Sequence, residues 1–413
     1  MRILYECDLA GSNYHGMAFR IFQFSCEFRK RGHEAMIVAA SYSHARRINP
    51  VVVHVLTDEN IDGVKYRWIK TPRYKGNGFM RLMHLLIYNF RLWFYAGRIA
   101  RDFNPEIVIA SGVTPLDFLG CSRIAKKAKA KTILEVGDLW PLSPIEIGGY
   151  SKFHPFMIAL QWAENYSYRN CDALVTLLPK ALDYMVLHGL KPEKSHYIPN
   201  GIYTYEWEKK ESIPQEYEIL ISDLKSKGQT LIAYTGAHGV GNDLNSLIET
   251  ADRMRNIDVA FLLVGSGSEK EKLEKKASSL QLTNLFFLKP IPKNSIPTFL
   301  DKMDFLYIGI QKIPLLRFGI SPNKIFDYMM SGKPIIQVID AGNNLVKEAG
   351  CGVDAEPENA ENISSAVLKL MALSPEERER LGRNGQKFVM ENHSYDVLTE
   401  KFLNVIENLV HSK

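Results

Sequence analysis

The densest run of chemistry in this 413-residue chain is Arg317-Phe318-Gly319-Ile320-Ser321-Pro322-Asn323-Lys324, with Asp327 three residues further on. Ser321 is a good helix N-cap, and Pro322 suits the first helical position, where its missing N–H costs nothing. A helix begun this way presents N–H groups at its positive end, and Gly319 keeps the loop before it open. Lys324 falls in the first turn, where a cation opposes the helix dipole. That placement becomes sensible when an anion occupies the helix end. Asp327 shares Lys324's side of the helix, so its carboxylate either accepts the hydroxyls of a ribose or pairs with Lys324.

Two glycine-rich turns precede this stretch. Leu231–Thr235 reads as a strand running into Gly236-Ala237-His238-Gly239, and Phe261–Val264 as a strand running into Gly265-Ser266-Gly267. Glycine lets backbone N–H groups approach a phosphate closely. Ordinary strand-to-helix connections use glycine too, so each turn reads equally as an anion cradle or as plain structure.

The elements that would carry these residues are short apolar runs alternating with amphipathic segments. Strands are expected at Ile3–Leu9, Ala35–Ala40, Ile107–Ala110, Thr132–Val136, Ala173–Thr176 and His196–Pro199, and again at Leu231–Thr235, Val259–Val264, Leu285–Leu288, Phe305–Ile308 and Pro334–Val338. Continuously apolar strands belong in parallel sheets covered on both faces. Two such series predict two doubly wound α/β domains, residues 1–202 and 229–394, with any ligand in the cleft at the strands' carboxyl ends. Residues 203–228 are polar and show no period, and are expected to form the hinge region.

Composition agrees with a globular protein: 46% hydrophobic and 23% charged residues exclude disordered, collagenous and disulfide-scaffold classes. The net charge of +5 divides unevenly. Residues 1–200 carry 26 Lys and Arg against 17 Asp and Glu, and residues 201–413 carry 25 against 29, so the two halves are expected to meet different partners. Cys7, Cys26, Cys121, Cys171 and Cys351 form no metal-spaced pair, which fits free thiols in a reducing compartment. Acidic residues interrupt the first apolar run, unlike a signal peptide, and no stretch of 18 residues lacks charge. These features point to the cytoplasm.

At its landmarks the chain resembles the family 4 glycosyltransferases of the GT-B fold, in the WbuB-like branch of bacterial surface polysaccharide biosynthesis, over nearly its whole length. The landmarks are Arg31-Gly32-His33-Glu34, Glu135-Val136-Gly137-Asp138-Leu139-Trp140-Pro141, Ile198-Pro199-Asn200-Gly201, Tyr234–Gly239, Gly319–Lys324 with Asp327-Tyr328-Met329-Met330, and Gly332-Lys333-Pro334. The resemblance implies two Rossmann-like domains facing across a cleft, with the last helix, 395–413, packing back on the first. It implies retaining, metal-independent transfer of a hexosyl group, of HexNAc or deoxy-HexNAc type, from a nucleotide sugar that is usually UDP-linked. That co-substrate is the only cofactor expected. The acceptor would be a lipid-linked oligosaccharide in O-antigen, capsule or exopolysaccharide assembly.

By position, Asp327 matches the family's ribose-binding glutamate, Gly319–Pro322 would offer N–H groups to the diphosphate, and Lys324 would offer charge. The loop Gly11–Gly16, with His15, would close over the diphosphate, and Leu288–Ile291, with Pro290, would line the base pocket. Three departures stand out. Gly319 occupies the place of the first of two glutamates. Ala237-His238 and Asn242 replace a basic pair, leaving Lys324, Arg317 and His238 to carry the diphosphate charge. Gly137-Asp138 stands where many members place a histidine. Asp138 is expected either to orient the acceptor hydroxyl or donor sugar or to cap a helix, and Trp140 either to stack on a sugar or to anchor the core. Gly319 and the missing pair leave two other functions open: a non-catalytic nucleotide-sugar-binding or assembly protein, and a nucleotide-sugar epimerase on the same fold.

From Gly63 to Arg101 there are nine Lys and Arg, nine aromatics and no Asp or Glu. Within it Phe79–Ile99 has a helical pattern. The segment reads as a core helix with solvated arginines or as a dock on the inner membrane surface. Nucleic acid is not an expected partner, because the acidic second half repels phosphate backbones.

Overall fold

The structure, a computed structural model, describes residues 1–16, 19–76 and 78–411. Two compact units divide it: Met1–Asn200 with the helix Tyr395–His411, and Gly201–Ser394.

The first unit is built on an eight-stranded sheet. Its strands are β1 (Arg2–Glu6), β2 (Glu34–Ala40), β3 (Leu56–Ile61), β4 (Val64–Ile69), β5 (Ile107–Ala110), β6 (Lys131–Val136), β7 (Ala173–Thr176) and β8 (Ser195–Tyr197), in the order β3-β4-β2-β1-β5-β6-β7-β8. Every pairing is parallel except β3 with β4, a hairpin turned through Asp62-Gly63, both at positive φ. That Asp-Gly step is a hairpin signal in its own right. The alternating expectation missed it because Leu-Thr-Asp-Glu-Asn-Ile in β3 is an edge strand with little to bury. The C-terminal helix Tyr395–His411 belongs to this unit, with Phe402 set edge-on to Tyr5, Phe24 and Phe28.

The second unit has six strands, all parallel: β9 (Thr230–Thr235), β10 (Val259–Val264), β11 (Leu285–Leu288), β12 (Phe305–Gly309), β13 (Ile335–Val338) and β14 (Gly352–Asp354), ordered β11-β10-β9-β12-β13-β14. Separate apolar clusters cover the two faces of this sheet. In each unit the order reverses beside its first strand, between β1 and β5 and between β9 and β12. This is the topological switch point where doubly wound sheets bind ligands.

The segment 203–228 differs from its expected lack of structure. It carries helices Tyr205–Glu208 and Gln215–Ser226 and lies within the second unit. Ile213, Tyr217, Ile221 and Leu224, spaced by four, four and three, bury one face against the second core. The lysines and glutamates between them mask that period.

Candidate functional site

In the second unit the helix Asn323–Met330 starts one residue later than expected. Pro322, not Ser321, is its N-cap, and proline has no side-chain group to make a capping bond. Lys324 turns back from the first turn toward β9. Its Nζ donates to Tyr234 Oη (2.7 Å) and Asn242 Oδ1 (3.2 Å) and lies 4.1 Å from the Tyr234 ring centre. Tyr234 Oη in turn donates to Ala237 O (2.7 Å), and Asn242 Nδ2 to the same carbonyl (3.1 Å). All partners of the amine are neutral; among the described residues no carboxylate pairs with it. Burial pushes Lys324 down to about 7. Gly236 keeps space beside the amine, since a Cβ there would lie 2.9 Å from Nζ.

Asp327 and Lys324 do not pair, which removes that alternative. Asp327 Oδ1 instead accepts from Trp207 Nε1 (3.4 Å), and burial raises its carboxyl despite the nearby Lys293. Trp207 is a site residue that sequence reasoning missed, on the Tyr205–Glu208 helix of the segment taken as hinge. Two of the N–H groups expected to meet a diphosphate are already engaged: Gly319 N donates to Leu316 O (2.9 Å) and Ile320 N to Asn343 Oδ1 (2.7 Å). Gly319 has φ 104°, a conformation that excludes the family's glutamate without strain. The exposed Arg317 lies over Phe318 and donates to Pro314 O (2.7 Å). Asn323 is exposed at the helix start.

The glycine turns prove to be mainly packing devices. A Cβ on Gly265 would land 1.8 Å from Gly236 O, and one on Gly267 would strike the backbone of His238, so the two turns nest against each other. Gly239, by contrast, is unconfined. His238 is fully buried with both ring nitrogens unpartnered, and burial with Lys270 and Lys324 nearby pushes it down to about 4. Its ring is therefore neutral near pH 7 and does not bring the expected charge. Beyond β11, Leu288 O accepts from Lys270 Nζ (3.0 Å) and Lys289 O from Tyr217 Oη (2.8 Å), while Pro290 is exposed.

In the first unit, His15 is buried among Tyr66 and Trp68, its Nδ1 at 2.9 Å from Ser12 Oγ. The ring is thus held in the unit's interior, where the expectation had it reaching a diphosphate. Gly16 has φ 68° and Arg47 packed beside it. Asp138 Oδ1 accepts from Leu139 N (2.9 Å) and Ser143 Oγ, so Asp138 braces the turn before the helix Leu142–Glu146. Asp138 and Trp140 also line a cavity of about 290 Å³ at the carboxyl ends of β5, β6 and β7. Trp140 forms one wall of a second, apolar groove of about 620 Å³, between the helix Phe79–Phe94 and residues 143–157.

The basic segment 63–101 is not one surface. Tyr66 and Trp68 in β4 are buried, and Arg67 is paired with Asp58 (2.7 Å) and Asp102 (3.0 Å). The expected single helix breaks at Tyr95 into Phe79–Phe94 and Ala96–Phe103. The first of these buries His84, Leu85, Tyr88 and Leu92 while exposing Phe79, Phe90, Trp93 and Phe94. No helix among the described residues is long and apolar enough to cross a membrane.

Two α/β units, each with a switch point at the first strand, are the architecture of the GT-B fold. The chain belongs to the family 4 glycosyltransferases: residues 15–201 match the glycosyl transferase 4-like domain and residues 218–388 the glycosyl transferases group 1. It is similar to the putative colanic acid biosynthesis glycosyl transferase WcaI of Escherichia coli, 24% identical over 66% of this chain and 68% of that one. It is also similar to the probable glycosyltransferase WbjE of Pseudomonas aeruginosa, 20% identical over 78% and 79%. Among solved structures, sucrose-phosphate synthase from Thermosynechococcus elongatus matches with TM-score 0.74 at 12% identity over 100% of both chains. HepE of Anabaena, in complex with UDP-glucose, matches with TM-score 0.67 at 14% identity over 99% of this chain and 100% of that one.

Proposed function

We propose that this glycosyltransferase moves a sugar of HexNAc or deoxy-HexNAc type from a UDP-sugar to a lipid-linked oligosaccharide, with retention and without a metal, in the assembly of a bacterial surface polysaccharide. The observation that carries this reading is the half-buried Lys324 amine, held by neutral partners only, at the start of a helix and beside Gly236. A cation largely withdrawn from water without a counter-charge is costly, and the diphosphate of a nucleotide sugar supplies that charge. The UDP complexes of HepE and the colanic acid role in the name of WcaI support the donor and the pathway class.

In the step itself the acceptor oxygen bonds to the anomeric carbon as the bond from that carbon to the phosphate oxygen breaks. The acceptor's proton passes to the leaving phosphate on the same face. Lys324 stabilises the negative charge that grows on the diphosphate, the largest single contribution expected of such a site. Asp327, with Trp207, holds the ribose hydroxyls, and the neutral His238 lies behind the glycine turns. Exposed Phe79, Phe90 and Phe94 beside arginines support docking of the enzyme at the inner face of the cell membrane, on which a lipid-linked acceptor would lie.

Thermal denaturation with and without UDP tests the reading. UDP at 100 times its dissociation constant should add about 2.7 kcal/mol of stability. Lys324→Met should melt no lower than the parent without ligand, because a lone charge largely withdrawn from water has gone, and should weaken UDP roughly tenfold to hundredfold, the equivalent of losing one charged hydrogen bond. An undiminished UDP shift in Lys324→Met would overturn the assignment. Slow release of UDP from a UDP-sugar without acceptor separates a transferase from a mere binding protein, and interconversion without release would mark an epimerase.

A further inference from the structure

The chain enters the second unit at Gly201 and leaves it at Ser394, and these two crossings are joined to each other. Ile202 and Ser394 pair as an isolated parallel bridge, and Ile202 N donates to His393 O (2.8 Å). Ile202, His393 and Ser394 are all buried. Each crossing also touches the helix Asn323–Met330, which carries Lys324 and Asp327. On the outgoing crossing the His393 ring stacks on Phe326 at 4.6 Å, the planes 29° apart, with the Phe388 ring 5.3 Å away. On the incoming crossing the short helix Tyr205–Glu208 brings Trp207 Nε1 to Asp327 Oδ1 (3.4 Å) and Glu206 Oε2 to Lys293 Nζ (2.6 Å). The helix is thus gripped at two successive residues, Phe326 and Asp327.

Aspartate is one methylene shorter than the glutamate of the family, so its carboxylate needs holding to reach a fixed place. The buried Trp207 indole engages Oδ1 and leaves Oδ2, which makes no hydrogen bond among the described residues, to accept from a hydroxyl. The Lys293 amine is raised above the ordinary lysine range: burial opposes this, and the Asp327 and Glu206 carboxyls outweigh it. A cation therefore stands beside the same carboxylate. The helix Asn323–Met330 has eight residues, little more than two turns, so whatever moves Phe326 moves Lys324 and Asp327 with it. Coupling of this kind is reciprocal. A ligand that fixes the helix must fix the crossings, and loosening the crossings must weaken the ligand.

We propose, resting on the nucleotide-sugar reading, that Trp207 and His393 are positioning residues of the donor site. They act through Asp327 and Phe326, and they link occupancy of the ribose and diphosphate positions to the ordering of both chain crossings.

Hydrogen–deuterium exchange of the full chain with and without saturating UDP tests this. Amides in 201–208 and 391–396 should exchange at least about fivefold slower with UDP, the low end of usual coupling energies. Trp207→Phe keeps a buried ring and removes the indole donor. It should weaken UDP at least about fivefold and leave 2′,3′-dideoxy-UDP unchanged, because that analogue offers Asp327 no ribose hydroxyl. A merely structural loss would weaken both alike. His393→Leu should bind UDP more weakly and lose the slowed exchange, and His393→Phe, which keeps a ring on Phe326, should restore both. Bound UDP with unchanged exchange in both segments, or equal losses of UDP and dideoxy-UDP in Trp207→Phe, would overturn the proposal. Failure of the parent to bind UDP would instead overturn the UDP reading. In that case slowed exchange with GDP or ADP would keep the link and move only the base, and no slowing with any nucleotide would sink it.

Discussion

Lys324 ties the second unit's chemistry to pH in a direction that follows from its surroundings. An ordinary lysine loses its proton near 10.5, and burial brings this one down to about 7. Between these values the unfolded chain holds more protons than the folded one, so Lys324 makes the ligand-free protein more stable as pH rises from 7 toward 10.5. A bound diphosphate raises the amine again, so binding above pH 7 must take up a proton. UDP affinity should therefore fall from pH 7 to 9, by up to about tenfold per pH unit, and calorimetry in buffers of different ionisation heat should register the uptake. In Lys324→Met the pH dependence over this range should flatten. The sequence showed where this lysine stands on its helix, since the first turn is a local matter. Its partners Tyr234 and Asn242 come from more than 80 residues away, so neutral partners and depressed affinity for protons were not readable. The same applies to His238, where a histidine in a glycine turn looks like a charge and burial makes it neutral.

At the scale of elements, continuous apolar runs made the parallel strands legible, because two-sided burial leaves a mark on every residue. The edge hairpin β3–β4 and the helix Gln215–Ser226 escaped, because edge and surface elements bury only a stripe. The nesting of the two glycine turns predicts that Gly265→Ala destabilises the second unit by about 1–3 kcal/mol, the usual cost of forcing atoms into a filled space, visible as a lowered urea midpoint. The helix Phe79–Phe94 is the remaining part of the basic segment able to meet lipid. Its Phe90 and Phe94 rings stack in the open at 5.9 Å. Co-sedimentation with vesicles rich in phosphatidylglycerol should be strong at low salt and weak with phosphatidylcholine alone, and Phe90→Ser with Phe94→Ser should abolish it. Equal binding by the double variant would return this face to a purely structural role.

Over the whole molecule, two units with separate cores should melt as separable events, and UDP should raise the transition belonging to residues 201–394, where Lys324 and Asp327 reside. Differential scanning calorimetry of the full chain reads this directly. The covalent order of the units has its own consequence. The first unit is discontinuous in the chain: the helix Tyr395–His411, whose Phe402 fills the space among Tyr5, Phe24 and Phe28, is encoded after the entire second unit. A ribosome making this protein thus releases the sheet of the first unit long before its closing helix exists. During all of that interval the socket for Phe402 stands open, so the N-terminal half is born first and finished last.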